Sequence, residues 1–420
     1  MGASPSGVFP LGVDMSLRIL FVTHDASRTG APLFLLHFLR WLREHHPEIE
    51  CDLLIRRSGE LDKEYMAVAA TTYHWQSRFR LVEFLNANKL VGRRRGALND
   101  LFRHLTAHEK RLLACLGRND YDLVFVNSFA NAQLIPLLAA HIPSKPIICR
   151  APELKRWVEE RIGVDSVRHA IRLVDRFIAV SDLVAHYLNS DLNIPAEKIV
   201  KIPGFIRGSQ IRMQKSEIRR QLGIADDVFL VCGSGTLDWR KGADLFVQIA
   251  AETAHRYPDR NTRFCWIGGG SDPDFTRKLQ FDLEILKLDH PIIFVPSTDA
   301  PYDYFSAGDL FALTSREDPF PLVALEAASC ALPIVCFDAA VGSKEFVGDE
   351  TGKLVPYLDT AAFAEAIASF QTDHALYAKA SVNIKALSDS YSIDRIGDRL
   401  LQLMLDTAAN GPQSANRHRT

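Results

Sequence analysis

The sequence predicts an α/β protein in which two doubly wound, parallel-sheet domains follow one another along the chain. Two series of short apolar runs carry this prediction, because segments of helical periodicity separate the runs within each series. The first series extends from 18 to 180 and the second from 228 to 337: RILFV, CDLLI, DLVFV, PIIC and RFIAV, then VFLVC, RFCWI, PIIFV, LFAL and PIVCF. Runs that are this short and apolar are typical of strands buried on both faces of a parallel sheet.

The domain boundary is predicted in KIPGFIRGSQ, 201–210, where Pro, Gly and Ser interrupt the apolar pattern. Ligands are expected in a central cleft between the two domains, at the carboxyl ends of the strands. The folded part is expected to start at Met15, where MSLRILFVTHD leads into the first strand. The predicted segments are an N-terminal extension (1–16), a first domain (17–205), a second domain (206–390), a C-terminal helix that returns to the first domain (391–408) and a disordered tail (409–420).

The composition is that of an ordinary soluble globular protein. The chain has 420 residues with 47% hydrophobic and 24% charged side chains, and its formal net charge of -2 gives no bulk attraction for nucleic acid. Seven scattered cysteines in apolar runs indicate reduced core thiols and a cytoplasmic location. The first fourteen residues lack the pattern of a signal peptide, and no run reaches the roughly 18 apolar residues of a membrane span.

The segment EDPFPLVALEAASCALPIV, starting at Glu317, contains the most informative pattern. Pro319 and Pro321 predict a stiff loop that leads from the strand LFAL into a helix, with Pro321 at the first helical position. The backbone N–H groups of Leu322 and Val323 would then lack helical partners and lie at the positive end of the helix dipole. An anion or a polyhydroxyl ligand is the expected guest.

Glu326 lies about one turn inside this helix, on an apolar face. An unpaired ionised carboxylate there would cost several kcal/mol, so the pattern requires a partner for it. An ion pair with a nearby Lys or Arg is one explanation. The other is a ligand diol that donates two hydrogen bonds to Glu326, as a ribose does in dinucleotide sites.

The same segment resembles the EX7E region of the family-4 retaining glycosyltransferases. The resemblance implies the GT-B fold of two Rossmann-like domains and a nucleotide-sugar donor, with Glu326 binding the ribose and Asp318 contacting the transferred sugar. The sequence departs from the common pattern, since the first acid is Asp beside Glu317 and the usual Gly-Phe-Gly is Pro-Phe-Pro. Because proline has no N–H, the amides that bind the sugar must come from Phe320, Leu322 or Val323.

Two further segments resemble donor-binding parts of that family. CGSGTLDWRKGADLFVQIA, 232–250, resembles its strand, glycine turn at Gly235 and helix start, which implies that Arg240 and Lys241 hold the donor diphosphate. A solvated basic pair is the alternative. VTHDASRTGAP, 22–32, resembles the N-terminal loop whose glycine lets the backbone approach the donor phosphate, and here that glycine is Gly30.

The histidine that many relatives place near the sugar is missing. At the matching place, CRAPELKRW has Pro152 before Glu153. The resemblance therefore implies that the protein manages without this histidine or uses His24, which is equally well explained as a satisfied polar residue. Glu153 is a candidate acceptor contact, and the start of a surface helix is the alternative.

Two other patterns imitate ligand sites and are better explained by local structure. GDETGKL, 348–354, is one residue shorter than a P-loop and predicts a turn before a short strand. SDPD, 271–274, predicts a cap and the first turn of the following helix rather than a metal site. No GxGxxG spacing supports a nicotinamide cofactor, so neither a metal nor a cofactor is predicted.

The predicted function is transfer of a sugar, with retention of configuration, from a UDP- or GDP-sugar to a glycan or lipid-linked acceptor in polysaccharide or glycoconjugate synthesis. A basic segment, 77–96, predicts peripheral contact with the inner face of a membrane, and a solvated helix is its alternative. The rival functions are a sugar-nucleotide-binding scaffold without transfer activity and a nucleotide-sugar epimerase of the same fold.

Overall fold

The computed structural model describes residues 17–75, 105–208, 210–270, 272–339 and 342–412. The predictions for the N-terminal extension and the basic segment 77–96 fall outside these residues, as does most of the predicted tail. Membrane contact through 77–96 therefore stays a prediction. Within the described ranges, no helix combines the length and apolar character that crossing a membrane requires.

The first sheet has seven strands among the described residues, in the order β3-β2-β1-β4-β5-β6-β7. The pairs β1 with β2, β1 with β4, β2 with β3 and β6 with β7 are parallel. The strands are β1 (Arg18–Thr23), β2 (Glu50–Ile55), β3 (Thr71–His74), β4 (Leu123–Asn127), β5 (Ile147–Ala151), β6 (Arg176–Ala179) and β7 (Ile199–Lys201).

The second sheet has six strands in the described part of the chain, in the order β10-β9-β8-β11-β12-β13, and all its pairs are parallel. β8 and β11 are neighbours, with Leu310 opposite Val231, so the segments that follow these two strands leave the same edge of the sheet. The strands are β8 (Phe229–Ser234), β9 (Thr262–Ile267), β10 (Ile293–Val295), β11 (Leu310–Leu313), β12 (Ile334–Phe337) and β13 (Gly352–Val355).

Helices connect the strands in both parts of the chain, as parallel sheets require. Short π-type turns continue two of them, at Val158–Ile162 and Tyr187–Asp191. The α-helices are α1 (Gly30–His45), α2 (Asp62–Val68), α3 (Ala107–Leu116), α4 (Ile135–His141), α5 (Lys155–Trp157), α6 (Val164–Ile171), α7 (Asp182–His186), α8 (Lys215–Gln221), α9 (Ala243–Arg256), α10 (Pro273–Leu286), α11 (Pro301–Ala307), α12 (Leu322–Ser329), α13 (Thr360–Thr372), α14 (His374–Asp389) and α15 (Ile393–Asn410).

The chain separates into two compact units. The first contains the residues up to Cys149, then Asp165–Asp175 and the residues from Met404 onward. The second contains Arg150–Val164 and Arg176–Leu403. The predicted boundary near residue 205, and the return of the C-terminal helix to the first domain, stay predictions.

The core of the second unit fixes the base of the turn that follows β8. Phe246 of α9 packs edge-on against Phe264 and Trp266 of β9, with ring centroids 5.5 and 5.2 Å apart. Each of these side chains is at most 6% exposed, and burying one stabilises the fold by about 1.5–3 kcal/mol. The end of β8 is therefore a rigid base for the residues that follow it.

The observed elements agree with the predicted ones except at two edge strands. β3 and β7 were not predicted, because TTYH is polar and IVK has three residues, so neither forms an apolar run. In α10, Asp272 is the N-cap and accepts hydrogen bonds from the N–H groups of Asp274 and Phe275, as the sequence predicts. All seven cysteines are free thiols, and five of them are buried.

Candidate functional site

The candidate site lies at the carboxyl ends of β8 and β11. The turn 235–242 follows β8 and carries Arg240 and Lys241, whereas the loop 314–321 follows β11 and carries Asp318. Because the two strands are neighbours in the sheet, the cations and the acid come together although 77 positions separate Lys241 from Asp318. Ligand sites of parallel α/β sheets commonly lie at this edge.

Two glycines shape the turn after β8. Gly235 has a φ of +150° and Gly242 a φ of +69°, and L-residues with a side chain rarely adopt such values. A Cβ on Gly242 would lie 2.1 Å from the carbonyl oxygen of Thr314, and one on Gly235 would lie 3.0 Å from Cγ of Lys241. The hydroxyl of Thr314 also donates to the Gly242 carbonyl at 2.9 Å. The turn is therefore fastened closely to the start of the loop after β11.

Lys241 and Asp318 form a buried ion pair. The ammonium Nζ of Lys241 lies 2.5 Å from Oδ2 of Asp318, and Nη1 of Arg240 lies 3.7 Å from the same oxygen. Asp318 is 4% exposed. A buried charge cluster of this kind rules out the alternative that Arg240 and Lys241 are simply a solvated pair.

The pKa values within this cluster move in the directions that burial and charge predict. Burial opposes ionisation of Asp318, but Lys241 and Arg240, together with a hydrogen bond from the Phe320 N–H, hold its pKa below the ordinary value. Burial and the charge of Arg240 lower the pKa of Lys241, and Asp318 opposes that shift. Asp318 is thus a carboxylate that exists with its own cation.

The loop that carries Asp318 is held in place by an aromatic anchor. The ring of Phe320 lies 5.7 Å from that of Phe346 and 5.8 Å from that of Tyr391, and its side chain faces Gly204. The N–H of Gly342 donates to the Asp318 carbonyl at 2.8 Å. The Phe320 side chain is therefore a packing element, and its N–H already has an intramolecular acceptor in Asp318.

Helix α12 begins one residue later than the sequence predicts. Pro321 is its N-cap, with ψ of 98°, and is not its first helical residue. The cause is that the stiff loop holds Pro321 extended before the helix turns. Among the described residues, the N–H of Ala324 donates to the Pro321 carbonyl at 3.0 Å, whereas the N–H groups of Leu322 and Val323 have no acceptor. Those two donors lie where the sequence places an anion or a polyhydroxyl ligand.

Glu326 stands in α12 as a half-buried carboxylate. In the described part of the chain its carboxylate has neither a hydrogen bond nor an ion pair, so a structural ion pair, the alternative to a ligand, is not found there. Burial raises its pKa to about 7, although the charge of Lys241 opposes the shift. Tyr302 and Cys330 lie close enough for Glu326 to contribute to the raised pKa values of both. The carboxylate is available to a ligand.

Glu153 is a buried residue that precedes α5, so the alternative of a surface helix start is wrong. It is 5% exposed, and Arg150, also buried, lies within its electrostatic reach. Burial lowers the pKa of Arg150 to about 10, and Glu153 opposes that shift. The sequence did not predict this pairing, since "CRAPELKRW" shows the two charges but not their burial.

His24 and Gly30 belong to the first compact unit. His24 follows β1, and its Nε2 lies 3.5 Å from the Asp25 carboxylate. Burial and the charges of Arg56 and Arg57 lower its pKa, so the imidazole is neutral near pH 7. Gly30 is the first residue of α1, and a Cβ there would have no atom within 4 Å. Their roles toward a ligand stay predictions.

The sequence reasoning missed Trp239, Asp244 and Arg316, which surround the turn after β8. Trp239 is 44% exposed and lies under the guanidinium of Arg156, 4.0 Å from its ring centroid. Arg316 forms two hydrogen bonds to the carboxylate of Asp244, at 2.8 and 2.7 Å. The available signal was an Arg directly before the Glu-Asp-Pro loop and an Asp in the first turn of the facing helix, and sequence alone does not pair them.

The two parallel α/β sheets and the acid and cation cluster at the strand ends define a protein of the GT-B class. Two family models match the chain, Glycosyltransferase Family 4 over residues 59–207 and Glycosyl transferases group 1 over residues 226–373. The second of these ranges includes Arg240, Lys241, Asp318 and Glu326. The chain belongs to the family-4 glycosyltransferases.

Individual proteins show the same relationship. The chain is 30% identical over 237 residues to alpha-galactosylglucosyldiacylglycerol synthase of Streptococcus pneumoniae, which covers 54% of this chain and 57% of the relative, a little over half its length. The structure of Anabaena HepE in complex with UDP-glucose matches 93% of this chain and all of its own, with a TM-score of 0.75 and 18% identity. Sucrose-phosphate synthase of Thermosynechococcus elongatus matches 94% of this chain and all of its own, with a TM-score of 0.72 and 20% identity. At such identities the two structures show the shared fold.

Proposed function

We propose that this protein transfers a sugar from a UDP- or GDP-sugar to a glycan or lipid-linked acceptor, with retention of configuration, in polysaccharide or glycoconjugate synthesis. One observation carries the proposal: Asp318 lies buried against Lys241 and Arg240, eight positions before Glu326, whose carboxylate has no partner among the described residues. This arrangement offers cations for a diphosphate and a free acceptor of hydrogen bonds for a ribose.

The cations would act on the leaving group. When the bond from the anomeric carbon to the donor phosphate oxygen breaks, negative charge develops on the diphosphate, and Lys241 and Arg240 stabilise it. The N–H groups of Leu322 and Val323, at the helix N-terminus, add to this field. Charge-assisted hydrogen bonds contribute about 1.5–3 kcal/mol each, so two cations supply on the order of several kcal/mol.

The acceptor hydroxyl would form the new bond on the same face of the sugar that the diphosphate leaves. Its proton passes to the departing phosphate oxygen, so the reaction needs no enzyme nucleophile and the atoms balance. Asp318 would position the sugar through hydrogen bonds to its hydroxyl groups, and its low pKa keeps it an acceptor. Because Lys241 and Arg240 already supply positive charge, we propose that no resident metal or cofactor takes part.

The donor is the property that a first experiment should decide. HepE was solved with UDP-glucose, which supports a UDP-sugar for a protein of this fold. Thermal unfolding should be followed with UDP, GDP and their sugars, each with and without EDTA. A ligand at 100 times its dissociation constant stabilises by about 2.7 kcal/mol, and this gain should appear for one base and survive EDTA.

Lys241→Ala tests the site itself. The variant should lose turnover and most of the nucleotide-induced stabilisation, because the diphosphate loses a buried cation. Lys344→Ala is the control, since the Lys344 ammonium is exposed and donates to the Asp338 carbonyl at 3.3 Å. Normal turnover and nucleotide affinity in Lys241→Ala would overturn the assignment.

The same assays separate the rival functions. The Pro-Phe-Pro loop, in which Asp318 already accepts the Phe320 N–H, favours consideration of a scaffold that binds the sugar nucleotide without transfer. Intact nucleotide binding with no hydrolysis and no transfer to a panel of acceptors would support the scaffold. A changed sugar in the absence of any acceptor would instead identify an epimerase.

A further inference from the structure

Arg316 connects the two segments that carry the proposed catalytic groups. It lies two residues before Asp318, on the loop after β11, and its side chain is 10% exposed. Its guanidinium binds both carboxylate oxygens of Asp244, in the first turn of α9, at 2.8 and 2.7 Å. A bidentate Arg–carboxylate pair fixes direction as well as distance.

The same side chain also holds the turn after β8. Nη1 of Arg316 donates to the carbonyl of Trp239 at 2.8 Å, and its guanidinium carbon lies 4.9 Å from the Trp239 ring centroid. The backbone N–H of Arg316 donates to the carbonyl of Arg240 at 2.8 Å. Trp239 and Arg240 directly precede Lys241, so Arg316 binds the backbone that positions both cations.

We propose that Arg316 is a positioning residue, which sets the spacing between the Arg240 and Lys241 cations and Asp318 for leaving-group stabilisation. The proposal rests on the transferase function above. Removing the side chain frees the Trp239 carbonyl and the Asp244 carboxylate together, so the turn can shift relative to the loop after β11. A shift of about 1 Å in such a site can lower the rate about 100-fold.

The test compares Arg316→Ala with Arg316→Lys in steady-state transfer assays. Arg316→Ala should lower kcat about 100-fold and leave the donor KM close to that of the wild type, because misplaced cations lose more of the transition-state interaction than of ground-state binding. Arg316→Lys should recover part of the loss, since Lys keeps the charge toward Asp244 but not the bidentate geometry. Should Arg316→Ala not fold, Arg316→Lys and Asp244→Asn provide the same comparison.

Arg260→Ala is the matched control. Arg260 lies in the same compact unit, its Nη1 donates to the Ala368 carbonyl at 2.8 Å, and its guanidinium lies 4.9 Å from the Tyr257 ring. Measured below both unfolding midpoints, Arg260→Ala should keep its kcat. Wild-type kcat in Arg316→Ala, or an equal loss in Arg260→Ala, would overturn the proposal. If the wild type itself binds no sugar nucleotide, the proposed function falls, and this inference falls with it.

Discussion

Glu326 shows how a single residue can serve a ligand at the expense of the fold. Its ordinary pKa of 4.5 rises to about 7 in the structure because burial disfavours the charged form. Between pH 4.5 and 7 the native state therefore keeps a proton that the unfolded chain has released. Stability falls as the pH rises through that window, and Glu326 costs the fold about 2–3 kcal/mol above it.

Replacing Glu326 with Gln should remove this cost. At pH 8 the free energy of unfolding of Glu326→Gln should exceed that of the wild type by about 2–3 kcal/mol, and the difference should disappear near pH 4.5. Denaturant titrations at both pH values measure it. Glu350→Gln is the control, because Glu350 is an exposed side chain paired with Lys379. Equal stability of wild type and Glu326→Gln at pH 8 would show that the carboxylate is already compensated.

The same variant should bind UDP or GDP more weakly. A ribose diol donates hydrogen bonds to an ionised carboxylate, and each is worth about 1.5–3 kcal/mol, or roughly ten- to a hundredfold in affinity. Calorimetry at pH 8 tests this. Stability and affinity should thus move in opposite directions, a result that general damage to the helix would not produce.

At the scale of elements, the turn after β8 depends on a left-handed residue in close contact with another loop. Gly242→Ala would place a Cβ 2.1 Å from the Thr314 carbonyl oxygen in addition to straining φ. Gly223→Ala is a matched control, since Gly223 also has a positive φ, +64°, but open space around it. Gly223→Ala should cost about 1–2 kcal/mol of stability.

Gly242→Ala should cost more than Gly223→Ala and should also reduce transfer activity, because the backbone beside Lys241 must move. Thermal unfolding and kcat, measured on both variants, give the comparison. Similar losses of stability with unchanged activity in both would mean that the turn tolerates displacement without moving its cations.

At the scale of the whole molecule, the predicted donor contacts fall in both compact units. Lys241, Leu322 and Glu326 belong to the second unit, whereas Gly30 belongs to the first. Hydrogen exchange with and without the nucleotide that stabilises the protein should show slower exchange at 235–242 and 322–324. It should also show slower exchange at 28–31, if the backbone near Gly30 approaches the donor phosphate as predicted. Protection confined to 235–242 and 322–324 would restrict the donor site to the second unit.

The sequence by itself determined the fold class and the principal site residues. Apolar runs of four or five residues are sufficient to predict buried parallel strands, since nothing else places so many β-branched and aromatic residues between helical periods. Asp318 and Glu326 were predictable because their spacing and the prolines around them are local features. Strands such as β3 and β7 were not predictable, because polar or three-residue edge strands gain their stability from a neighbour rather than from their own sequence.

The tertiary structure alone decided which side chains meet. The Lys241 and Asp318 pair, the Arg316 and Asp244 pair and the burial of Glu153 each join residues whose proximity depends on strand order or on packing. It also decided that Phe320 is an anchor, with its N–H directed to Asp318. Helix and strand periods are written into neighbouring residues, but contacts across a sheet edge arise when distant strands pair, and a single sequence carries no local signal for that pairing.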